Sequence, residues 1–397
     1  MQTLTSPPEL TLTEGAAPEQ VALDRATAQA LHDSGAVNVV RTESPDFWLL
    51  SDTGQIGVIR TGGLQVVIKP KVKVDRLVFM MGYARNPDFW RNDRVRVDPD
   101  DDLVTGLAES FRRLASMALE QGLLKGYVTI DESTFVLRGR IREAEQLKRG
   151  YGRMIPLEVT YDDFIADIAE NQILLAATRQ LLRLREVSGD TRRGLHRIAW
   201  KLAGISLPTA GVALPAWSPS RLNARYVPAL RVAELILQGR SFEQRSGELI
   251  VSGFVFSMSK IFEDFVCVAL SQAMLSAGGR ASLQYKTHLD VDREVRIRPD
   301  YVWLRGGPKI VADAKYKAEK PAGFPQADLY QLLAYCTVLG LSEGHLIYAR
   351  GNEEPRVHGI AGTNVRLHCH TLDLTDTPQG LLRQVAEKAE AMKALTT

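Results

Sequence analysis

Apolar and polar positions change their period several times along this chain. A helical pattern at Ala22–Ser34, with Asp24 placed to cap it and Gly35 to end it, is followed by short alternating runs. These runs, Val37–Arg41, Phe47–Ser51, Ile56–Arg60 and Leu64–Lys69, are broken by Ser-Pro-Asp, Asp-Thr-Gly and Gly-Gly turns and predict a small antiparallel sheet or barrel. Lys69, Lys71 and Lys73 alternate at its edge and suit either a solvated strand that resists aggregation or contact with phosphates or an acidic partner. An apolar helix is expected near Leu77–Ala84, and a long amphipathic one from Leu103 through Phe111, Leu114, Met117 and Leu124, closing at Gly126. From about Tyr161 to Leu237 the spacing is mostly helical: one helix capped by Thr160 or Asp162, a second over Thr191–Leu202, and a third around Tyr226–Gln238. A module beginning near Phe254 then reads helix, three strands, helix, strand, which is an α/β order with a mixed sheet and helices on its faces.

Composition narrows the picture. At 397 residues the chain exceeds a usual single core, so a multi-domain α/β protein is expected. The expected division is a β-rich region at 1–160, a helical connector at 161–250 and a C-terminal α/β domain at 251–397. Net charge is +2, so any nucleic-acid surface must be local. One such candidate is the run Arg138, Arg140, Arg142, Lys148, Arg149 and Arg153; an exposed flexible stretch explains it equally well. Cys267, Cys336 and Cys369 are widely spaced and odd in number, which suits a reducing cytoplasm rather than a disulfide framework. The N-terminal residues do not have the pattern of a signal peptide, and no apolar run approaches the roughly 18 residues a membrane span needs. A cytoplasmic location is the expectation.

The chemistry concentrates in Val295–Lys317. Two apolar-rich strands meet at Gly306-Gly307, a dipeptide suited to a two-residue hairpin turn. With that turn Arg305 faces Pro308, and counting back sets Asp300 opposite Asp313. Alternation then gives Val311, Asp313 and Lys315 one face and Ile310, Ala312 and Ala314 the other. Like charges opposite one another in a sheet repel, so the pair calls for a cation. Mg²⁺, with Mn²⁺ as the substitute, is the natural candidate, because such hard ions take one or two carboxylates together with water and phosphate oxygen. The Ala314 carbonyl is a further possible ligand, and Glu263 on the preceding helix can add a carboxylate or be an ordinary surface acid. Lys315 can position a water or neutralise developing charge, and beside a metal its pKa is open to lowering.

Arg298-Pro299-Asp300 followed by Asp313-Ala314-Lys315-Tyr316 resembles the PD-(D/E)xK nuclease signature, and Gln331 with Tyr335 is similar to the Q-x-x-x-Y element of its exonuclease-like branch. The resemblance extends to the McrC family, the nuclease subunit of 5-methylcytosine-specific restriction systems. It is carried by Gly139-Arg140-Ile141, Asn171-Gln172-Ile173-Leu174, Asn223-Ala224-Arg225-Tyr226, Phe262-Glu263-Asp264-Phe265 and Asp328-Leu329-Tyr330-Gln331-Leu332, over roughly residues 50 to 375. It implies a restriction-endonuclease-like core at 251–397, an N-terminal region that docks an McrB-like AAA+ GTPase, and cleavage of methylated or otherwise modified DNA. Asp300, Asp313, Lys315, Gln331 and Tyr335 are then the catalytic set, with Asp300, Asp313 and Glu263 toward the metal. No G-x-x-x-x-G-K-[ST] loop is present, so the motor is expected to be a separate chain. The first 40 or so residues look peripheral to the resemblance.

Two other functions fit less well: a non-catalytic adaptor of an AAA+ motor, which has no need of facing carboxylates, and a stand-alone repair nuclease, which has no need of so large an N-terminal half. In His368-Cys369-His370, alternation sends the thiol away from both imidazoles, which disfavours zinc. Tyr316, Tyr330 and Tyr335 can stack on DNA or pack in the core, and Lys317 and Lys320 can meet phosphates.

Overall fold

The computed structural model describes residues 9–395 except 45, 62, 92–101, 151–154, 185–186, 210–211, 247–248, 317–325 and 350–354. Arg153, Lys317 and Lys320 lie outside the described residues. Two compact units emerge, residues 1–107 together with 238–397, and residues 108–237. The chain thus divides at different places from the three consecutive segments 1–160, 161–250 and 251–397, because two strands from the C-terminal half complete an N-terminal sheet.

That sheet has five strands in the order Glu9–Thr13, Leu64–Lys69, Gln55–Thr61, Leu249–Ser257 and Arg240–Ser246, with only the first pair parallel. The four strands expected to form one small sheet or barrel are instead divided. Val37–Arg41 and Phe47–Asp52 join Glu19–Ala22 in a separate three-stranded sheet. Leu12, Leu31, Leu50, Ile59, Val66 and Val251 share one apolar core, so burial across both sheets decides the arrangement that local alternation left open. Gly57 allows the central crossing: its φ is +132°, and a Cβ there would stand 2.1 Å from the Phe254 carbonyl oxygen. At the end of Leu249–Ser257 the chain turns directly into the helix Met258–Ala273, capped by the Ser257 hydroxyl accepting from the Lys260 amide.

The same unit contains a six-stranded mixed sheet in the order Arg280–Leu283, Tyr301–Leu304, Pro308–Lys315, Glu343–Ala349, Arg366–Leu372 and Arg356–Gly359. Its three central pairings run antiparallel, parallel and parallel, so the helix Gln326–Leu339 makes the crossover between Pro308–Lys315 and Glu343–Ala349. Leu332, Tyr335 and Cys336 of that helix pack with Val302, Val311, Leu346, Leu367 and Cys369 of the sheet. Helix Met258–Ala273, which contacts Pro308–Lys315, and helix Pro378–Ala394, which contacts Arg366–Leu372, also pack on each other. The α/β module is therefore mixed and helix-flanked, as its sequence order indicates.

In the second unit, Gly126–Thr134 pairs with Leu157–Ile165, and Arg140–Ile141 adds to the latter. Two expected helices are shorter than their spacing indicates. The amphipathic one ends at Ala118, not Gly126, and the next begins at Ala169 because residues 157–165 pair as a strand. Thr160 and Asp162 therefore bond across strands, Thr160 Oγ1 to Asp131 Oδ1 at 2.6 Å and Thr129 Oγ1 to Asp162 Oδ1 at 2.7 Å, instead of capping a helix. Three arginines of the basic run have acidic neighbours: Arg142 lies 3.4 Å from Asp131 and 3.7 Å from Glu145, Arg149 lies 3.7 Å from Glu158, and Arg138 lies 3.6 Å from Asp163. Buried Asn171 donates to the Leu124 and Ala166 carbonyls, fixing the start of its helix. Among the described residues no helix is long and apolar enough to cross a membrane.

Candidate active site

The two carboxylates meet through the strand register. Tyr301 stands opposite Ala312 and Val302 opposite Val311, and the same count extended by one residue sets Asp300 beside Asp313. The turn differs from the two-residue form. A bulge between Trp303 and Leu304 sets Leu304 opposite Pro308, and Arg305 donates its amide to the Gly307 carbonyl at 2.8 Å. Gly306 and Gly307, with φ of +67° and +140°, supply the left-handed conformations this three-residue loop needs. The slip is confined to the turn side of the bulge, so the carboxylate pairing is unaffected.

Asp300 and Asp313 are both buried, at 7 % and 2 % exposure. Asp300 is well held: Oδ2 accepts from the Ala314 amide at 3.1 Å and Oδ1 from Gln284 Nε2 at 2.7 Å. Asp313 is not. Its Oδ1 takes only a long contact from the Asp300 amide, 3.4 Å, and its buried Oδ2 accepts no directed hydrogen bond. That oxygen instead faces the Lys315 ammonium at 2.5 Å, an ionic contact along the strand face that Asp313 and Lys315 share. Burial, and then the charge of Asp300, push the Asp313 carboxyl up to about 7 despite the opposing pull of Lys315. Burial works against the Lys315 charge, but Asp313 and Asp300 outweigh it and hold that ammonium above its usual range, so the lysine is the site's resident cation.

Gln331 and Tyr335 lie one turn apart on the crossover helix, and Gln331 Nε2 donates to the Tyr335 hydroxyl at 2.8 Å. The Tyr335 hydroxyl is raised by burial and then by the charges of Asp313 and Asp300, which places it beside the carboxylates as a neutral phenol. Glu263 is half-buried on its helix, raised by burial and then by Asp300, with Lys315 opposing. It feels the cluster, yet among the described residues no group of three or more His, Cys, Asp and Glu side chains could hold a metal ion on its own. The donor set is thus two adjacent carboxylates, one of them held only by a long amide contact and the Lys315 ammonium. This suits an ion that completes its shell with water and substrate, and it does not make a closed cage.

Two residues escaped sequence reasoning. Gln284 anchors Asp300 from a left-handed backbone, φ +50°, and its own amide donates to the Asp300 carbonyl at 2.8 Å. Nothing in the local pattern marks such a conformation. Asp328, buried in the first turn of the crossover helix, accepts from the Tyr348 hydroxyl at 3.1 Å and adds to the negative field at Lys315. A buried acid next to a recognised Gln-Tyr pair was the available signal. Of the tyrosines proposed for DNA, Tyr335 is buried, Tyr316 packs on Phe262 with ring centroids 5.8 Å apart, and Tyr330 is 68 % exposed.

A mixed α/β sheet with paired acids and a lysine at the end of one strand thus defines the site. The McrBC family, described as a 5-methylcytosine restriction system component, matches residues 50–349. The chain belongs to that family. Among solved structures it is similar to a chain of the refined half-complex of Thermococcus gammatolerans McrB AAA+ hexamers with bound McrC, at 17 % identity, covering 96 % of this chain and 100 % of that one, with a TM-score of 0.56. A second match, from the cryo-EM structure of the Thermococcus gammatolerans McrBC complex, is 20 % identical over 67 % of this chain and 88 % of that one, with a TM-score of 0.37. No curated protein matches.

Proposed function

We propose that this chain is the DNA-cutting subunit of a modification-dependent restriction complex, a Mg²⁺-dependent endodeoxyribonuclease with a PD-(D/E)xK core. It works in the cytoplasm with an McrB-like AAA+ GTPase on methylated or otherwise modified DNA. One observation carries this reading: two buried carboxylates held side by side, with the Lys315 ammonium 2.5 Å from Asp313 Oδ2. A buried like-charge pair is costly unless it serves chemistry. Family membership and the fold likeness to a chain of an McrB–McrC assembly support the partner.

Asp300 and Asp313 would hold Mg²⁺ or Mn²⁺, with the Ala314 carbonyl and the Glu263 carboxylate as further oxygen donors. Mg²⁺ supplies positive charge against the charge that develops on the phosphoryl group during hydrolysis. The protein's own groups do the rest. Gln284 and the Ala314 amide fix the Asp300 carboxylate, so that its oxygens do not reorganise during reaction. Lys315, held charged by Asp313, can orient the attacking water by a hydrogen bond to its oxygen and sets a positive charge against the scissile phosphate. Gln331, steadied by its bond to buried, neutral Tyr335, would give hydrogen bonds toward the DNA backbone.

The test is omission. The purified chain, partner, GTP and Mg²⁺ together should cut methylated plasmid DNA, and leaving out the partner or chelating the metal should stop it. Cleavage that persists in chelator would overturn the metal-dependent reading, and no cleavage by the full mixture would favour a non-catalytic activator of the motor.

A further inference from the structure

Tyr316 directly follows the strand Pro308–Lys315 that carries Asp313 and Lys315, and this tyrosine is tied to the far end of the sequence. Its ring packs on Phe262, the residue before Glu263, and its hydroxyl hydrogen-bonds the carboxylate of Glu14. Glu14 is 1 % exposed. It follows strand Glu9–Thr13, whose parallel pairing sets Thr13 opposite Lys69, and its amide donates to the Lys69 carbonyl at 2.9 Å. Its Oε2 also accepts from the Lys71 amide at 3.2 Å. A carboxylate this deeply buried needs donors, and here they come from an N-terminal strand connection and from the residue next to Lys315. Asp52 stands nearby but faces backbone, accepting from the Gly15 and Gly54 amides at 2.8 Å each.

We infer that Glu14 is a positioning residue for the cutting site: through Tyr316 it fixes the end of the Asp313 strand and so the direction of the Lys315 ammonium. The inference rests on the role given to Lys315 above. Glu14 lies outside the residues 50–349 that match the family, and within the segment that looks peripheral by sequence. Its burial and its bond to Tyr316 make it part of the support of the site. Holding a reacting group within a fraction of an ångström governs rate more than affinity, so the link belongs in kcat and not in DNA binding.

The experiment uses the full chain with its AAA+ partner, GTP, Mg²⁺ and methylated DNA, and compares Tyr316→Phe, Glu14→Ala, Glu14→Gln and the Glu14→Ala/Tyr316→Phe double variant. Tyr316→Phe keeps the ring against Phe262 and removes only the hydroxyl. It and Glu14→Ala should each lower kcat about tenfold, with KM for DNA within about twofold, and the double variant should fall no further. Glu14→Gln, whose amide oxygen still accepts from Tyr316, should recover to within about threefold of wild type. Hydrogen exchange read without DNA should show the amides of residues 312–316 exchanging about fivefold faster in Tyr316→Phe, with strand Gln55–Thr61 unchanged. Unchanged kcat and unchanged exchange in Tyr316→Phe would overturn the inference. So would a loss that follows thermal stability in every variant, Glu14→Gln included, because that marks a merely structural contact. If wild type does not cut, the nuclease reading fails, and the exchange data still decide whether Glu14 and Tyr316 hold the strand.

Discussion

One sheet of this protein carries two buried polar clusters, and they are built on opposite principles. Asp300, Asp313 and Lys315 share the face toward the crossover helix, with Tyr335 beside them. Alternation along the neighbouring strands turns Glu343, His345, Arg366, His368 and His370 to the other face. The histidine cluster closes on itself. His345 Nδ1 and His370 Nε2 stand 3.2 Å apart, His368 Nε2 meets Glu343 Oε2 at 2.6 Å, and Arg366 Nε donates to Glu343 Oε1 at 2.9 Å. Its rings lie roughly parallel, His345 and His370 at 27° and His368 and His370 at 11°. The aspartate cluster sets two like charges adjacent, with the Lys315 ammonium as the cation in contact with Asp313. A network of complementary partners stabilises a fold; one of adjacent like charges is held in place by the fold and is where an ion and a substrate have something to gain.

The comparison breaks most visibly in activity. Lys315→Met or Asp300→Asn should lower DNA cleavage by at least about a hundredfold, while His368→Gln leaves it within about twofold below the melting temperature. Equal losses from both faces, measured on the partner complex with methylated DNA, would erase the distinction.

Stability against pH should separate the clusters by sign. Folded Asp313 holds its proton up to about 7 against an ordinary 3.8, so between those values the folded state binds more protons and stability is lost as pH rises. Burial, with Lys388 and His368 adding to it, depresses folded His370 to about 4 from 6.5, and burial and the neighbouring imidazoles depress His345 as well. There the unfolded state binds more protons, and stability is lost as pH falls through that window. Glu343 adds to the same trend: burial raises its carboxyl, but His368 and Arg366 outweigh burial and lower it. In chelator, Asp313→Asn should therefore gain several degrees of melting temperature on wild type as pH rises from about 5 to about 7, and His370→Asn should gain on it as pH falls from about 6 to about 4. Mg²⁺ should sharpen the contrast by raising the melting temperature of wild type more at about pH 8 than at about pH 6, because the ion competes with the Asp313 proton, and by doing little for Asp313→Asn.

The smallest effect is expected at Gln284. Removing its bond to Asp300 in Gln284→Ala should cost about tenfold in cleavage rate, with melting changed by only a few degrees. A loss as large as that of Lys315→Met would make Gln284 part of the reaction instead of a support for Asp300.

How much of this was legible beforehand follows the range of the interactions. The Asp300–Asp313 register and the Asp313–Lys315 face depend on strand alternation over a few residues and read directly from Pro299 to Lys315. The turn did not, because the bulge at Trp303–Leu304 is a backbone choice that Gly306-Gly307 permits but does not specify. Residues 157–165 carry apolar positions compatible with a helix, and only their pairing with Gly126–Thr134 makes them a strand. The N-terminal sheet was misjudged for the same reason, since its fourth strand, Leu249–Ser257, lies some 180 residues beyond the third in sequence. Gln284 and Glu14 were missed because their roles come from burial beside residues distant in the chain, and no local spacing encodes that.

The central claim is that Asp313 belongs to a metal-dependent cutting site and not to the interface with the motor. Asp313→Ala assembled with the AAA+ partner, GTP and Mg²⁺ tests it on methylated DNA, with GTP hydrolysis read in the same tube. The account predicts that cleavage disappears while stimulated GTP hydrolysis stays at the wild-type level. Cleavage that survives the substitution would contradict it.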